Sequence, residues 1–250
     1  MDLPPVGLGT MGIDSPDSVT DAVDLGYRHL DTAQIYENEA VVGDGIAASA
    51  VSRRDLTVAT KLWIDSLGAD NLRDGTEASL DRLGLDRVDL LYVHRPRGEY
   101  EPSETLPAIQ SVADDGLTRH VGLSNFEREQ LDTAREHLDE IAAHQVEFHP
   151  YFHREEILRD AQDHDYPLVA YSPLAGGEVL DDPVIRDIAE SHDSTPAAVS
   201  IAWVLSHENV VTIPKASSTD HLRANLAAAD LELTSAEIER IDREEELFPE

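Results

Sequence analysis

The sequence predicts a single (β/α)8 barrel, and three observations carry that reading. Eight short apolar runs alternate with longer amphipathic stretches along the 250 residues, the rhythm of βα units on a parallel sheet. No glycine- or serine-rich linker divides the chain, so one unit spans 1–250, a length that suits eight such units better than an open sheet. Polar residues recur where the apolar runs end, which is where this fold gathers its reacting groups.

The runs, in order, are Val6–Gly9, Tyr27–Leu30, Leu56–Leu62, Val88–Val93, His120–Leu123, Gln145–Phe148, Leu168–Tyr171 and Val210–Ile213. Between them, Asn71–Leu83 and Glu127–Leu138 have helical periodicity. Asp70 is the expected N-cap of the first. Thr195-Pro196 opens a later helix, with proline at the first helical position, where its missing N–H is not needed. The polar residues at the run ends form the candidate active site: Asp31 and Tyr36, Lys61 and Trp63, His94, Ser124 and Asn125, Gln145, Tyr171 and Ser172, and Lys215.

Composition narrows the function. Hydrophobic residues make up 41% of the chain, which excludes a disordered acidic tail. The net charge of −32 argues against nucleic acid, whose phosphates would be repelled, and against an anionic membrane surface. Among the 19 basic residues only Lys61 and Lys215 are lysines. An acidic chain purged of lysine is expected to be halophilic. In molar salt the Debye length falls to roughly 3 Å, and repulsion between surface carboxylates is screened. Two surviving lysines are then expected to serve chemistry. Acid clusters such as Glu244-Glu245-Glu246 read as solvated surface. No cysteine is present, so no disulfide, thiolate nucleophile or cysteine metal site is expected. No secretory signal is visible, and no apolar run approaches the roughly 20 residues of a membrane span. A cytoplasmic monomer is the expectation.

Two motifs are set aside. Gly7-Leu8-Gly9-Thr10-Met11-Gly12 matches G-x-G-x-x-G, with Asp31 downstream, as in a dinucleotide fingerprint. Its strand would be short and preceded by Pro4 and Pro5, no helix starts at the third glycine, and Asp31 does not sit at a clean strand tip. A tight turn entering the barrel is expected instead. His149 and His153 have metal-like i, i+4 spacing, but Pro150 prevents the helix that would place both rings on one face. No metal is expected.

The chemistry lies in Asp31, Tyr36, Lys61 and His94. An ammonium beside a phenol favours the phenolate. A carboxylate beside that ammonium keeps it charged and in place. Such a tyrosine can give or take a proton near neutral pH. A histidine at the next strand end can hold a carbonyl oxygen. The set suits polarisation of a carbonyl while another group attacks its carbon.

These residues lie in segments that resemble the aldo-keto reductase family. The segments are Gly26-Tyr27-Arg28-His29-Leu30-Asp31-Thr32-Ala33 with Tyr36-Glu37-Asn38-Glu39, then Thr60-Lys61-Leu62-Trp63 and Asp89-Leu90-Leu91-Tyr92-Val93-His94-Arg95-Pro96. Gly122-Leu123-Ser124-Asn125-Phe126, Gln145-Val146-Glu147-Phe148-His149-Pro150, Ala170-Tyr171-Ser172-Pro173-Leu174 and Val211-Thr212-Ile213-Pro214-Lys215 follow in family order. The resemblance implies a (β/α)8 barrel and nicotinamide-dependent reduction of aldehydes and ketones, with a small-molecule carbonyl substrate. Tyr36 would be the general acid, Lys61 and Asp31 would tune it, and His94 would orient the carbonyl. Ser124, Asn125 and Gln145 would bind the nicotinamide carboxamide, and Tyr171 would stack on its ring. Ser172 and Leu174 would line the pyrophosphate, and Lys215, Ser217 and Asn225 would hold the adenosine half. Trp63 and Arg95 would form substrate-pocket walls. NADPH is the expected cofactor, with NADH usable. The alternative is a regulatory subunit on the same barrel that binds cofactor without turnover, against which the complete tetrad speaks.

Four features depart from the pattern. Arg95 stands where many relatives have tryptophan. Ala216 replaces a common serine or threonine. His221 stands where NADP-selective members often place arginine. The sequence ends at Glu250, soon after its last helical stretch, so the expected pocket lacks a long C-terminal loop and is open and broad in specificity.

Overall fold

Each apolar run becomes a parallel strand in the computed structural model, which describes residues 1–245. The strands are β1 (Leu8–Gly9), β2 (His29–Asp31), β3 (Thr57–Leu62), β4 (Val88–Val93), β5 (Thr118–Ser124), β6 (His144–Glu147), β7 (Leu168–Tyr171) and β8 (Val210–Thr212). They pair in chain order from β1 to β8. The seam between the two ends closes just before β1, where Val6 bridges Thr212 in parallel. The Gly7 N–H donates to the Thr212 carbonyl at 2.8 Å, and the Thr212 N–H donates to Pro5 at 2.9 Å. Pro4 and Pro5 thus sit at the mouth of the seam, where few ladder donors are needed.

The helices are α1 (Pro16–Leu25), α2 (Glu39–Ala48), α3 (Ala69–Leu83), α4 (Pro102–Asp114), α5 (Arg128–Arg135), α6 (Glu155–Asp163), α7 (Pro183–Ser191), α8 (Pro196–Leu205), α9 (Thr219–Ala227) and α10 (Ser235–Glu245). The expected helix start at Thr195-Pro196 holds. Thr195 Oγ1 accepts from the Ala198 N–H, and Pro196 begins α8. Glu127 caps α5 in a reciprocal box with Gln130, which satisfies two helix-end donors at once. One expectation is corrected. α3 begins two residues early, Gly68 is its N-cap, and Asp70 lies in its first turn, where a carboxylate favours the positive helix end without capping it.

Two apolar layers hold the barrel. Between strands and helices runs a large core that includes Leu30, Leu62, Leu91, Phe148 and Trp203. Inside the barrel, Ala59, Leu90, Tyr92, Ala143, Val169 and Val211 form a second core, floored by Leu3 and topped by Tyr171. Tyr92 is fully buried, and Gly122 on the neighbouring strand makes room for it. A Cβ on Gly122 would lie 2.5 Å from the Tyr92 ring.

The glycine motif of the N-terminus serves the seam. A Cβ on Gly9 would stand 2.5 Å from the Ile213 carbonyl, and one on Gly7 would strike the His29 ring at 2.7 Å. Thr10 and Ile13 close a tight turn, and α1 starts at Pro16. Asp31 does end β2, contrary to the reading that kept it from a strand tip. The cluster Glu244-Glu245-Glu246 reaches beyond the described residues. Among the described residues no helix is long and apolar enough to cross a membrane.

Candidate active site

The register sets the site. Lys61 lies opposite Tyr92, and Ser124 opposite Gln145, so the polar ends of β2 to β7 face one rim. A cleft of about 840 Å³ opens there, within the range of small-molecule sites. Asp31, Tyr36, Trp63, His94, Arg95, Asn125, Gln145, Tyr171, Ser172, Leu174 and Lys215 line it. Eleven of the fifteen residues singled out in the sequence therefore meet in one cavity.

Lys61 lies under the cleft floor, fully buried. Its Nζ donates to Asp31 Oδ1 and, at 2.9 Å, to the Thr32 carbonyl. The same Nζ stands 5.1 Å from the centroid of the Tyr36 ring. Burial works against the charge, but Asp31 and then Tyr36 outweigh it and hold the Lys61 pKa above its ordinary value. An ammonium is kept in a protein interior only with such compensation. Gln145 Nε2 donates to the other oxygen of Asp31 at 2.8 Å, so the carboxylate is fixed from two sides.

His94 packs edge-on to Tyr36, with ring centroids 5.9 Å apart, and to Trp63 at 4.9 Å. Its pKa is lowered to about 3, by burial first and then by the cations of Lys61 and Arg95. It is a neutral imidazole at working pH, suited to a hydrogen bond rather than to proton supply. The Tyr36 ring lies against both His94 and the Lys61 ammonium.

Asn125 departs from the simple expectation. Its Nδ2 donates to the His94 carbonyl and to Ser124 Oγ, each at 3.0 Å. Its Oδ1 accepts from the Tyr171 hydroxyl at 2.9 Å. It holds a left-handed φ of 61°, which asparagine tolerates better than most residues. Both amide donors are thus spent on the protein, and Ser124 is buried beneath.

Two predicted residues stand apart from the cleft. Ser217 is exposed beyond its rim. Asn225 is 6% exposed and faces the Tyr27 hydroxyl, whose pKa is raised by burial and eased by that contact. Several lining residues were not foreseen: Thr10, Met11, Ile35, Glu147, Gly176 and Gly177. Glu147 ends β6 and Ile35 lies in a short 3-10 turn; the others come from loops, which leave no periodic signal, and only the Gly176-Gly177 pair marks a turn in the sequence. Asn38, in the quoted segment, also acts here. Its Nδ2 donates to Thr10 at 2.7 Å and Ile13 at 3.0 Å, and its Oδ1 accepts from Thr32 Oγ1 at 3.0 Å. It ties the turn at one lip of the cleft to the residue that holds Lys61. His149 and His153 lie at a tight turn, and among the described residues no three acidic or histidine side chains are grouped to hold a metal.

The cleft fits an extended dinucleotide. Beyond Tyr171, Ser172, Ala175, Gly176 and Gly177 all have positive φ, which curls the backbone; the Ala175 and Gly177 N–H groups close the curl onto the Ser172 and Leu174 carbonyls at 2.9 and 2.8 Å. A methyl built on Gly176 would meet nothing within 4 Å, so a ligand can approach the backbone there. Lys215 stands at the far end, exposed.

Comparison with known proteins agrees with this geometry. A family model described as the aldo/keto reductase family matches residues 5–246. The chain is 38% identical over 240 residues to a methylglyoxal reductase, DkgB, of Escherichia coli O157:H7, covering 93% of this chain and 90% of that one. It is 40% identical over 245 residues to an aldo-keto reductase of Mycolicibacterium smegmatis, covering 96% and 88%. Among solved structures, the thermostable aldo-keto reductase Tm1743 superposes with a TM-score of 0.90 at 33% identity, covering 97% of this chain and 96% of that one.

Proposed function

The chain belongs to the aldo/keto reductase family and is a nicotinamide-dependent carbonyl reductase, and from that premise we propose that Tyr36 is its general acid, Lys61 and Asp31 the pair that tunes it, and His94 the group that orients the carbonyl. The observation that carries the proposal is Lys61, buried between Asp31 and the Tyr36 ring at the floor of the one cleft where these groups meet. Reduced nicotinamide, when bound, supplies the hydride to the carbonyl carbon. The Tyr36 hydroxyl donates its proton to the carbonyl oxygen as negative charge develops there. The Lys61 ammonium favours the phenolate left behind. Asp31, held in turn by Gln145, keeps that ammonium charged and stationary. Neutral His94 donates a hydrogen bond to the same oxygen. With both Asn125 donors engaged, its role is to position Tyr171 as a platform for the ring. The reading without turnover is not favoured, since the relatives are named as reductases.

For the cofactor we propose NADPH preferred modestly over NADH. Lys215 would meet the 2′-phosphate, a contact worth roughly 10- to 150-fold. Ser217 would add a hydroxyl, while Asn225, turned inward, would support the adenosine half from below. Ala216 offers no hydroxyl, and His221 is a weak second cation. The acidic surface is proposed to be an adaptation to molar salt, and the protein to act as a cytoplasmic monomer on small aldehydes and ketones, methylglyoxal among them.

The test is Tyr36→Phe assayed with methylglyoxal and NADPH. Turnover should fall about 10²–10⁴-fold while NADPH affinity, read by fluorescence, stays close to wild type. Near-normal turnover would sink the mechanism. Lys215→Met should weaken NADPH binding and leave NADH binding nearly unaltered; equal loss of both would remove Lys215 from the 2′-phosphate.

A further inference from the structure

With 51 acidic residues against 19 basic ones, most cations among the described residues are paired with a carboxylate. Around the barrel Arg53, Arg82, Arg119, Arg128, Arg135 and Arg154 each reach an aspartate or glutamate within 4 Å. The two cations that line the cleft do not. Among the described residues, neither Lys215 nor Arg95 has an ion pair or a side-chain hydrogen bond, although Glu147 lines the same cleft. Glu147 instead faces His149 at 3.3 Å. Lys215 is accounted for by the cofactor. Arg95 is not.

Arg95 is half-buried and follows His94 directly. Both residues line the cleft. Its charge reaches the carbonyl-binding ring, since with Lys61 it is one of the two cations that depress the His94 pKa. A half-buried guanidinium has lost part of its water, and its planar fork matches a carboxylate with two parallel hydrogen bonds. A molecule that offers its carbonyl to Tyr36 and His94 therefore offers the adjoining group to Arg95.

We propose that Arg95 determines specificity in this site, and that the preferred substrates are carbonyl compounds with a carboxylate attached to, or one carbon from, the carbonyl carbon, such as 2-oxo acids. The proposal rests on the reductase reading above. It also accounts for Arg95 at a cleft position where an apolar wall would otherwise serve small neutral aldehydes. Selectivity arises from charge at one edge of the pocket rather than from enclosure.

The experiment compares a 2-oxo acid with its methyl ester, pyruvate with methyl pyruvate, as substrates with NADPH. The reading is the acid-to-ester ratio of kcat/KM. In Arg95→Gln this ratio should fall by about 10- to 150-fold, as loss of a charge-assisted contact requires. Arg95→Lys should retain a larger part of it. Arg97→Gln, an exposed arginine outside the cleft, should leave the ratio within about twofold, its charge being screened by solvent. In the wild type the ratio should fall between 0.1 M and 2 M salt, and in Arg95→Gln it should not. A ratio unmoved by Arg95→Gln, with the ester still reduced, overturns the assignment of Arg95 and leaves the reductase reading standing. A wild-type ratio insensitive to salt speaks against it without any variant. Failure of the wild type to reduce acid, ester and methylglyoxal alike overturns both.

Discussion

A fully buried lysine is stable only while its counter-charge is present, and the reverse holds for Asp31. Lys61→Met leaves the Asp31 carboxylate buried beside Gln145 with no cation, and Asp31→Asn leaves an ammonium with only a carbonyl and a phenol ring. Breaking one partner of a buried pair costs about 3–5 kcal/mol. Each single variant should therefore lose melting temperature as well as activity. The double variant, Asp31→Asn with Lys61→Met, should recover stability without recovering activity. Urea unfolding of the three variants beside kcat/KM makes the separation; additive losses of stability would show that the pair is not coupled. Neutral His94 belongs to the same scale. With its pKa near 3, protonated imidazole is about one part in ten thousand at pH 7, so the rate profile should show no histidine step near its ordinary pKa.

Elements are decided by packing, and Gly122 shows how tightly. It lets β5 pass the ring of Tyr92 inside the barrel. Gly122→Ala places a methyl 2.5 Å from that ring, and overpacking of this kind costs about 1–3 kcal/mol. Chemical denaturation should show the loss, and Tyr92→Leu in the same chain should relieve part of it. The strands were legible in the sequence because each is centred on a short, largely apolar run between amphipathic stretches. So was the tetrad, because its members lie at or just beyond the ends of such runs. Caps and lips were less legible. Gly68 displaced Asp70 because backbone geometry, not side-chain chemistry, set the start of α3. Thr10, Met11 and Gly176 reach the cleft from turns whose shape depends on distant partners: Thr10 donates from its backbone to Asp31 at 3.0 Å, and Asn38 holds the same turn from across the lip. Ser217 and Asn225 were carried over by position alone, and the structure sets them outside the cleft.

At the scale of the molecule, charge and burial act through solvent. The surface holds most of 51 acidic groups, and their repulsion is screened as the Debye length shrinks from about 10 Å at 0.1 M salt to a few ångström in molar salt. The melting temperature at pH 7 should rise steadily between 0.1 M and 2 M salt; a flat response would refute the adaptation to salt. Acid works the other way. Burial lowers the pKa of His29 to about 4 and those of His94 and His144 to about 3. The unfolded chain binds protons at these positions from about pH 6.5 downward, and the folded chain does not. Their stabilising contribution is present above pH 6.5 and is lost as pH falls toward 4 and 3, by up to about 1.4 kcal/mol per pH unit for each. In 2 M salt, where surface repulsion is quiet, the melting temperature should fall over that interval. The seam has a consequence of its own. The barrel is completed by residues from opposite ends of the chain, Val6 and Gly7 against Thr212, a pairing of high contact order that carries a large loop-closure cost. The cleft straddles this join, with Gly9, Thr10 and Met11 on one bank and Ile213, Pro214 and Lys215 on the other. A dinucleotide lying across both banks acts as a clasp: it can bind only after closure, and by mass action it holds the join shut. The nascent protein up to β7 has neither the join nor the clasp, so a dinucleotide held across both banks would favour the closed barrel over one parted at its first and last strands.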